Sequence, residues 1–314
     1  MQKNKSPVKE QEPKLTVPQI IEYCKNDLGI TFDLMSQEKA ADFLQKHNYF
    51  FRLKQYAEVC QEKTKGGKYV GIDFGHLVEL STIDMFFRKL MLKMTIDLEH
   101  YLKVKIVNEC QNNSADDGYL VVQAFLEKNP KIKEGLQNGA FLAGYSGLNF
   151  VKYLQAPAVW NFVEMINFFE FTNFFSFYYD YFRLRSEYTK RFDSVRRLRN
   201  MAAHNARALC NFRPVQNFRY NSEIFFELAQ GNIGVGNSVI SSCIKVPLLN
   251  DFSAMLSLYT RLITSPQVKE KTFEEIKALF DERMILRKEY FEGNSSVQNA
   301  YKFARAVLHF YAQK

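Results

Sequence analysis

The feature that most constrains the fold is a long stretch of helical periodicity between residues 74 and 110. Apolar side chains recur there every three or four residues with charged side chains between them, as in the buried stripe of an amphipathic helix. The members of this stripe are Phe87, Leu90, Met91, Met94, Leu98, Tyr101 and Leu102. No stretch alternates apolar and polar residues for long enough to build a sheet, and only 8 prolines and 14 glycines occur in 314 residues. We therefore predict an all-α fold.

The remaining pattern predicts further helices on both sides of this one. We expect four regions: a tail at 1–15, an N-terminal helical element at 16–70, a helical core at 71–265, and C-terminal helices packed on the core at 266–314. Pro18 and Ser36 have the positions of a first-turn proline and an N-cap, which predicts a helix at each. Residues 129–150, rich in glycine, are predicted to be an irregular connection. A basic helix is expected from about residue 193 to residue 211, ended by Pro214.

Composition is typical of a globular protein and argues against several other classes. The apolar fraction is 46% and the charged fraction is 24%, as in soluble domains. The 5 cysteines are odd in number and never form a C-x-x-C pair, so we expect reduced thiols and no zinc site. No signal peptide and no membrane-spanning stretch is recognisable. The sequence thus predicts a soluble cytoplasmic protein without a metal or other cofactor.

Positive charge is concentrated in residues 183–219, which we call the basic segment. Nine of the 15 arginines lie there, and with Lys190 the segment has ten basic residues against two acidic ones, Glu187 and Asp193. The excess of eight positive charges equals the formal net charge of the whole chain, +8. A polyanion is the natural partner of such a segment. We expect RNA to be that polyanion, and the predicted contacts are Arg191, Arg196, Arg197, Arg207 and Arg213.

Within the basic segment, Arg199 is followed directly by Asn200 and, five positions after the arginine, by His204. In a chain of this composition, an arginine and a histidine at this spacing are expected about 0.24 times by chance. The expectation falls to about 0.03 when Asn, Asp or His must follow the arginine. On the predicted basic helix, Asn200 and His204 are stacked one turn apart, and Arg196 and Arg207 lie on the same face.

These residue types suit RNA cleavage in which the ribose 2′-hydroxyl attacks its own phosphodiester. The reaction needs a base for the 2′-hydroxyl proton, an acid for the leaving 5′-oxygen, and cations near the phosphorus. Histidine can serve as acid or base near neutral pH, and arginine binds phosphate through two hydrogen bonds. No metal is required, because the nucleophile is already held beside the phosphorus. We therefore predict Arg199, Asn200 and His204 as the catalytic group, with Asn200 orienting the imidazole or the phosphate.

One histidine cannot easily be both acid and base in a single displacement, so this chemistry favours a homodimer. Two copies related by a twofold axis would bring two motifs into one cleft. Residues 160–182 offer an interface, since 12 of these 23 residues are Phe, Tyr or Trp. Most of the rings are expected to pack in a core helix, which leaves a minority for the interface.

Five segments of the chain resemble, in order, motifs of one known family: residues 48–56, 83–88, 96–99, 157–168 and 199–211. They are similar to the N-Y-Y-R-L-x-x-Y, F-D-x-x-L-R, I-E, P-x-W…E…S-F-G and R-N-x-x-A-H-H-x-R-L-x-N elements of abortive-infection proteins of the AbiD/AbiF type, which carry a HEPN domain. In the second segment the matching residues are Ile83, Asp84 and Arg88. The resemblance extends over residues 15–265.

The resemblance implies an all-α, HEPN-like helix bundle with additional N- and C-terminal helices. It also implies a metal-independent endoribonuclease, often a toxin, whose R-x-x-x-x-H motif forms a composite site on dimerisation. Carried over by position, Glu99 and Lys103 become supporting residues, with Lys103 in place of an arginine. The family's second histidine is Asn205 here. A further partner that the resemblance implies is a structured small RNA that holds the protein in check.

Two other functions are compatible with the same residues. A non-catalytic RNA-binding protein would use the arginines only for phosphate contacts, for example with a structured small RNA. A protein-interaction scaffold would use the aromatic segment, and its charge would be incidental. In both cases His204 would cap or pack within a helix bundle.

Overall fold

The structure is a computed structural model that describes residues 14–60, 66–137 and 150–314. No β-strand occurs in these residues; an isolated β-bridge joins Thr31 and Asp73. The prediction of an all-α fold is confirmed. Of the predicted tail at residues 1–15, all but the last two residues lie outside the described part of the chain.

The α-helices, in chain order, are α1 Val17–Asn26, α2 Gln37–Lys46, α3 Phe50–Leu53, α4 Ala57–Cys60, α5 Phe74–Asn112, α6 Leu120–Lys128, α7 Pro130–Gln137, α8 Val159–Met165, α9 Phe168–Tyr181, α10 Phe192–Ala203, α11 Ser222–Gln230, α12 Asn237–Cys243, α13 Pro247–Leu262, α14 Pro266–Ala278 and α15 Ser295–Ala312. Short 3₁₀ turns lie at Lys54–Tyr56, Phe150–Tyr153, Thr189–Arg191 and Lys288–Phe291, and a π turn lies at Leu279–Arg283.

The chain divides into two compact units. Of the described residues, the N-terminal unit comprises 14–60, 66–83, 209–211 and 289–294, and the main unit comprises 84–137, 150–208, 212–288 and 295–314. The division between residues 83 and 84 falls within α5. The predicted boundaries near residues 70 and 265 stay predictions. Helices α14 and α15 belong to the same unit as α10 and α13.

In the N-terminal unit, side-chain caps explain where the helices begin. Pro18 lies in the first turn of α1, and the Ser36 hydroxyl accepts a hydrogen bond from the backbone N–H of Lys39 at 3.4 Å. The predictions of a helix at each of these signals are confirmed. The buried carboxylate of Asp73 accepts from the backbone N–H groups of Gly75 at 2.8 Å and Asp33 at 2.6 Å. Asp73 therefore fixes the start of α5.

The core of the main unit is built on the predicted stripe of α5. Phe87, Met91, Met94, Leu98 and Leu102 are buried, and the other two members of the stripe are half-buried against the same core. Buried side chains of α6, α8, α9, α10, α13 and α15 belong to the same core. This packing confirms that the long helical period marks a core helix.

The aromatic segment contributes mostly to this core. Seven of its rings are buried: Phe162, Phe168, Phe171, Phe174, Phe175, Tyr178 and Tyr179. The rings of Phe162 and Phe174 meet edge to face with centroids 4.9 Å apart. The expectation that most of these rings pack internally is confirmed, while Trp160, Phe169 and Tyr181 are exposed.

Residues 129–150 are not an irregular connection throughout. They begin with α7, and Pro130 is its first residue, a position at which the missing N–H of proline costs nothing. The prediction is therefore wrong for residues 130–137, and residues 138–149 lie outside the described part. Among the described helices, no single one is long and apolar enough to cross a membrane; α12 and α13 reach that level only as a pair bent by 106°.

Candidate functional site

Helix α10 carries the Arg199–His204 motif and packs one face into the main unit. Phe192, Val195, Leu198 and Ala202 are buried at spacings of three and four residues, so the opposite face is turned to solvent. α10 packs mainly against α13, which is buried along nearly its whole length, and it also contacts α9. The motif thus lies on a well-supported helix.

The end of α10 differs from the prediction. The helix ends at Ala203, and His204 is its C-cap residue. Asn205 has a left-handed backbone with φ of 52°, and the N–H of Ala206 donates to the Met201 carbonyl at 2.8 Å. This pattern ends many helices, usually with glycine and sometimes with asparagine in the left-handed position. The prediction of a helix to residue 211, ended by a proline, is wrong because Asn205 ends it first.

This early end changes which residues share a face. The backbone N–H of His204 donates to the Asn200 carbonyl at 3.0 Å, so these two residues are one helical turn apart, as predicted. Arg196 lies one turn before Asn200 on the same helix. Arg207, however, lies beyond the terminating turn, so its predicted place on this face is wrong.

Two buried residues of α5 hold the turn that follows His204. Asp84 is 0% exposed; its Oδ1 accepts from the backbone N–H of Ala208 at 2.7 Å, and its Oδ2 accepts from Arg88 Nε at 2.7 Å. Arg88 in turn donates through Nη1 to the side-chain oxygen of Asn205. The pair matches the second family-like segment, but sequence reasoning assigned it no role. Its i, i+4 spacing of opposite charges was the signal.

The three predicted catalytic residues are accessible. Asn200 and His204 are exposed, and Arg199 is half-buried. Arg199 donates through Nη1 to Asn200 Oδ1 at 3.4 Å. No carboxylate in the described part of the chain pairs with Arg199, so its charge is available to an anion. Arg199 lies about 140° around the helix axis from His204, so only the reach of its long side chain can bring the guanidinium toward the imidazole. An exposed imidazole can transfer a proton, and an uncompensated guanidinium can bind a phosphate.

Arg191 does not fit its predicted role in RNA binding. Its side chain is only 4% exposed and donates to Ser257 Oγ at 3.0 Å and to the Glu187 carbonyl at 2.6 Å. Glu223 and Glu227 lie 3.5 and 4.0 Å from its guanidinium. Burial, together with nearby Arg261, lowers the pKa of Arg191. We therefore correct the prediction and assign this arginine a structural role.

Arg196 and Arg197 lie at the surface, but both guanidinium groups form hydrogen bonds and ion pairs within the protein. Arg196 donates to Asn173 Oδ1 at 2.9 Å and pairs with Asp193, and its guanidinium lies 4.7 Å from the ring centre of exposed Phe169. Arg197 forms a two-pronged pair with Asp251, at 2.7 and 2.6 Å. This hydrogen bonding raises the pKa of Arg197. Asp193 is on α10 and is already included in the charge count of the basic segment, whereas Asp251 belongs to α13 and offsets one further positive charge.

Arg213 is exposed and Arg207 is half-buried, both in the segment after α10. Lys103 pairs with Glu99 at 3.2 Å and with Glu164 at 3.5 Å. In the described residues neither Glu99 nor Lys103 makes a hydrogen bond or ion pair with the three predicted catalytic residues. Glu99 lies about 16 Å along the axis of α5 from Arg88. The roles of these four residues remain predictions.

Two observations concern the possible metal ligands and the thiols of the described residues. No group of three or more His, Cys, Asp or Glu side chains there is placed to hold a metal ion. Burial raises the pKa of Cys24, Cys60 and Cys110 to about 12 and that of Cys243 to about 11. Those four thiols are therefore poor nucleophiles near neutral pH.

Comparison with known proteins completes the description of the site. A family model described as Abi-like protein matches residues 42–209, which is more than half of the chain. The matched region contains α5 to α10, and with them Asp84, Arg88 and the whole Arg199–His204 motif. No curated protein and no solved structure gives a significant match. The chain therefore belongs to the Abi-like protein family.

Proposed function

We propose that this protein is a metal-independent endoribonuclease of the HEPN type that acts in abortive infection. Membership of the Abi-like family suggests the role in abortive infection. The observation that carries the enzymatic part is the exposed end of α10. There Asn200 and His204 face solvent one turn apart, and Arg199 keeps a charge that no described carboxylate neutralises.

In the proposed reaction, the 2′-oxygen of a ribose forms a bond to the adjacent phosphorus, and the bond from phosphorus to the 5′-oxygen of the next nucleotide breaks. The products are a 2′,3′-cyclic phosphate and a free 5′-hydroxyl. Arg199 stabilises the negative charge that develops on the non-bridging oxygens. Asn200 accepts a hydrogen bond of 3.4 Å from Arg199 and so restricts where the guanidinium lies. His204 exchanges a proton with either the attacking or the leaving oxygen.

The second proton transfer needs a second imidazole, which we assign to His204 of the partner subunit in a homodimer. A twofold axis near the end of α10 would bring both imidazoles and both guanidinium groups to one phosphodiester. The exposure of His204 is compatible with this approach. A dimeric site of this kind explains how one histidine per chain can serve both transfers.

A non-catalytic RNA-binding protein is the second candidate. It is favoured by Arg183, Arg185 and Arg219, which are exposed and form no ion pair with any described carboxylate. Their charges would bind phosphates with no need for an imidazole. A structured small RNA is a suitable ligand for such a surface.

His204→Ala separates the two candidates. The wild type should cleave single-stranded RNA in EDTA and leave 2′,3′-cyclic phosphate ends. The variant should lose at least about 100-fold in rate, since general acid–base catalysis contributes that much, while its RNA affinity changes little. His100→Ala, which also removes an exposed histidine, is the matched control and should cleave normally. Binding without cleavage by the wild type in any condition would overturn the enzymatic proposal.

Mixing wild type with His204→Ala subunits tests the composite site. At equal amounts, about one quarter of freely exchanging dimers contain two imidazoles, whereas about one half of all subunits would remain active if each acted alone. We therefore expect activity near one quarter of the unmixed wild type at the same total protein. Activity near one half would refute the dimeric mechanism.

A further inference from the structure

We propose that Asp84 and Arg88 are positioning residues for His204, acting through the turn at residues 205–208. The proposal rests on the proposed function, because it concerns how the imidazole of the same site is positioned. Neither residue is placed to touch RNA, since Asp84 is 0% and Arg88 is 8% exposed. Their effect on cleavage must therefore pass through the backbone that carries the imidazole.

The geometry joins both ends of this turn to one helix. Asp84 accepts from the backbone N–H of Ala208 at the far end, and Arg88 donates to the side chain of Asn205 at the near end. The hydrogen bond of 2.7 Å between Asp84 and Arg88 makes the two contacts a single network. All four groups belong to the main unit.

This network acts at a place where a helix would otherwise fray. His204 follows the last residue of α10, and its own backbone is held on one side by the hydrogen bond to Asn200. On the other side it is followed by Asn205, whose left-handed backbone is adopted most readily by glycine and less readily by asparagine. The contact from Arg88 holds Asn205 in that conformation and so fixes the direction in which the His204 side chain leaves the helix.

Stability alone does not account for a buried ion pair at this position. Replacing buried charges with apolar residues of similar volume is often neutral or stabilising. The pair supplies a fixed orientation of the turn at residues 205–208, because each of its hydrogen bonds requires a defined geometry. Catalysis depends on such placement, since a displacement of about 1 Å can lower a rate about 100-fold.

Substitutions at exposed Asn205 test the network without disturbing the core. Asn205→Gly keeps the left-handed backbone but removes the oxygen that Arg88 contacts, and Asn205→Asp keeps an oxygen there. Asn217→Gly is the matched control, because Asn217 is also exposed and left-handed, with φ of 63°. Thermal unfolding of each variant verifies that it is folded.

Two readouts are measured. The first is the kinetics of RNA cleavage, in which Asn205→Gly should lower kcat about 10- to 100-fold with little change in KM. Asn205→Asp should stay within about threefold of the wild type, and Asn217→Gly should not differ from it. The second is NMR of ¹³C-labelled histidine rings in the RNA-free protein, with the His204 signals assigned from His204→Ala. Only Asn205→Gly should broaden or shift those signals.

The outcomes separate this proposal from the nuclease assignment. If Asn205→Gly leaves both kcat and the His204 signals unchanged while His204→Ala abolishes cleavage, the positioning role is refuted and the nuclease stands. If the wild type cleaves no RNA but Asn205→Gly disorders His204, the positioning network is supported and the nuclease falls. Equal effects of Asn205→Gly and Asn217→Gly would also refute the positioning role.

Discussion

Replacing Asp84 with alanine should strongly destabilise the main unit, because one buried carboxylate accepts from two different partners. Its Oδ2 pairs with Arg88, which is 8% exposed, and its Oδ1 accepts from the backbone N–H of Ala208. In the variant, the guanidinium stays buried without its carboxylate, and the Ala208 N–H loses its acceptor. Both groups then carry the full cost of lost hydration.

The magnitude follows from these two losses. Removing one member of a buried ion pair costs about 3–5 kcal/mol, because the other charge remains buried. An unsatisfied backbone N–H adds about 1–3 kcal/mol. The two losses share one carboxylate and the turn can relax, so we expect a total near the lower limit of their sum, about 4 kcal/mol in the free energy of unfolding.

A double-mutant cycle makes the reasoning specific to the pair. Asp84→Ala combined with Arg88→Met removes both charges. The double variant should therefore lose about 2 kcal/mol less free energy of unfolding than the two single variants lose in sum. Urea unfolding at pH 7, followed by far-ultraviolet circular dichroism, measures each corner. Asp42→Ala on α2 is the control, since Asp42 forms an exposed i, i+4 pair with Lys46 that should contribute less than about 0.5 kcal/mol. A loss below about 1 kcal/mol for Asp84→Ala, or strict additivity, would refute the reasoning.

Three further predictions concern other parts of the molecule. Arg191→Ala should cost about 1–3 kcal/mol in urea unfolding, because it removes a buried side chain together with its hydrogen bonds to Ser257 and to the Glu187 carbonyl. Arg199→Ala should change stability by less than about 0.5 kcal/mol and reduce RNA cleavage. The opposite order of the two effects on stability would contradict the placement of these arginines. Gly118→Ala should destabilise the protein by about 1–3 kcal/mol and shift the fluorescence of Trp160. The reason is that the backbone φ of Gly118 is +78° and an added Cβ would lie 2.5 Å from that indole. Unchanged unfolding and emission would refute this prediction. At pH 8, exposed Cys210 should react with a thiol reagent much faster than the other four cysteines, because burial raises the pKa values of those four thiols to about 11 or 12. Cys210→Ser should abolish the fast phase of the reaction.

The helical fold could be predicted because its signals are local. The stripe of α5 shows in the spacing of its apolar residues, and Pro18 and Ser36 mark helix starts by their own chemistry. The sequence predicts no helix at α7 because proline and several glycines between residues 129 and 150 indicate a loop, although Pro130 fits the first position of a helix. A proline can begin a helix or interrupt one. Its position relative to the helix distinguishes the two cases, and the sequence alone does not state that position.

The detailed geometry of the site could not be predicted, because distant residues determine it. Asn205 ends α10 in a conformation that Arg88 supports from 117 positions away. The charge of Arg197 is offset by Asp251, which is 54 positions along the chain. A count of charges over a segment includes only neighbours in sequence, so it overstates the positive charge that a ligand meets. The motif could be located from sequence, but its electrostatic surroundings could not.

The placement of His204 at the carboxyl end of α10 has a consequence for how an anion is held. Phosphates in proteins commonly bind at helix amino ends, where free N–H groups and the positive end of the helix dipole attract them. At a carboxyl end the exposed carbonyls carry partial negative charge and repel a phosphate. The backbone of α10 therefore works against a nucleic acid at this position. In the proposed nuclease site, long cationic side chains would therefore supply all of the attraction for a phosphate, and the loss of one of them would not be offset by backbone N–H groups.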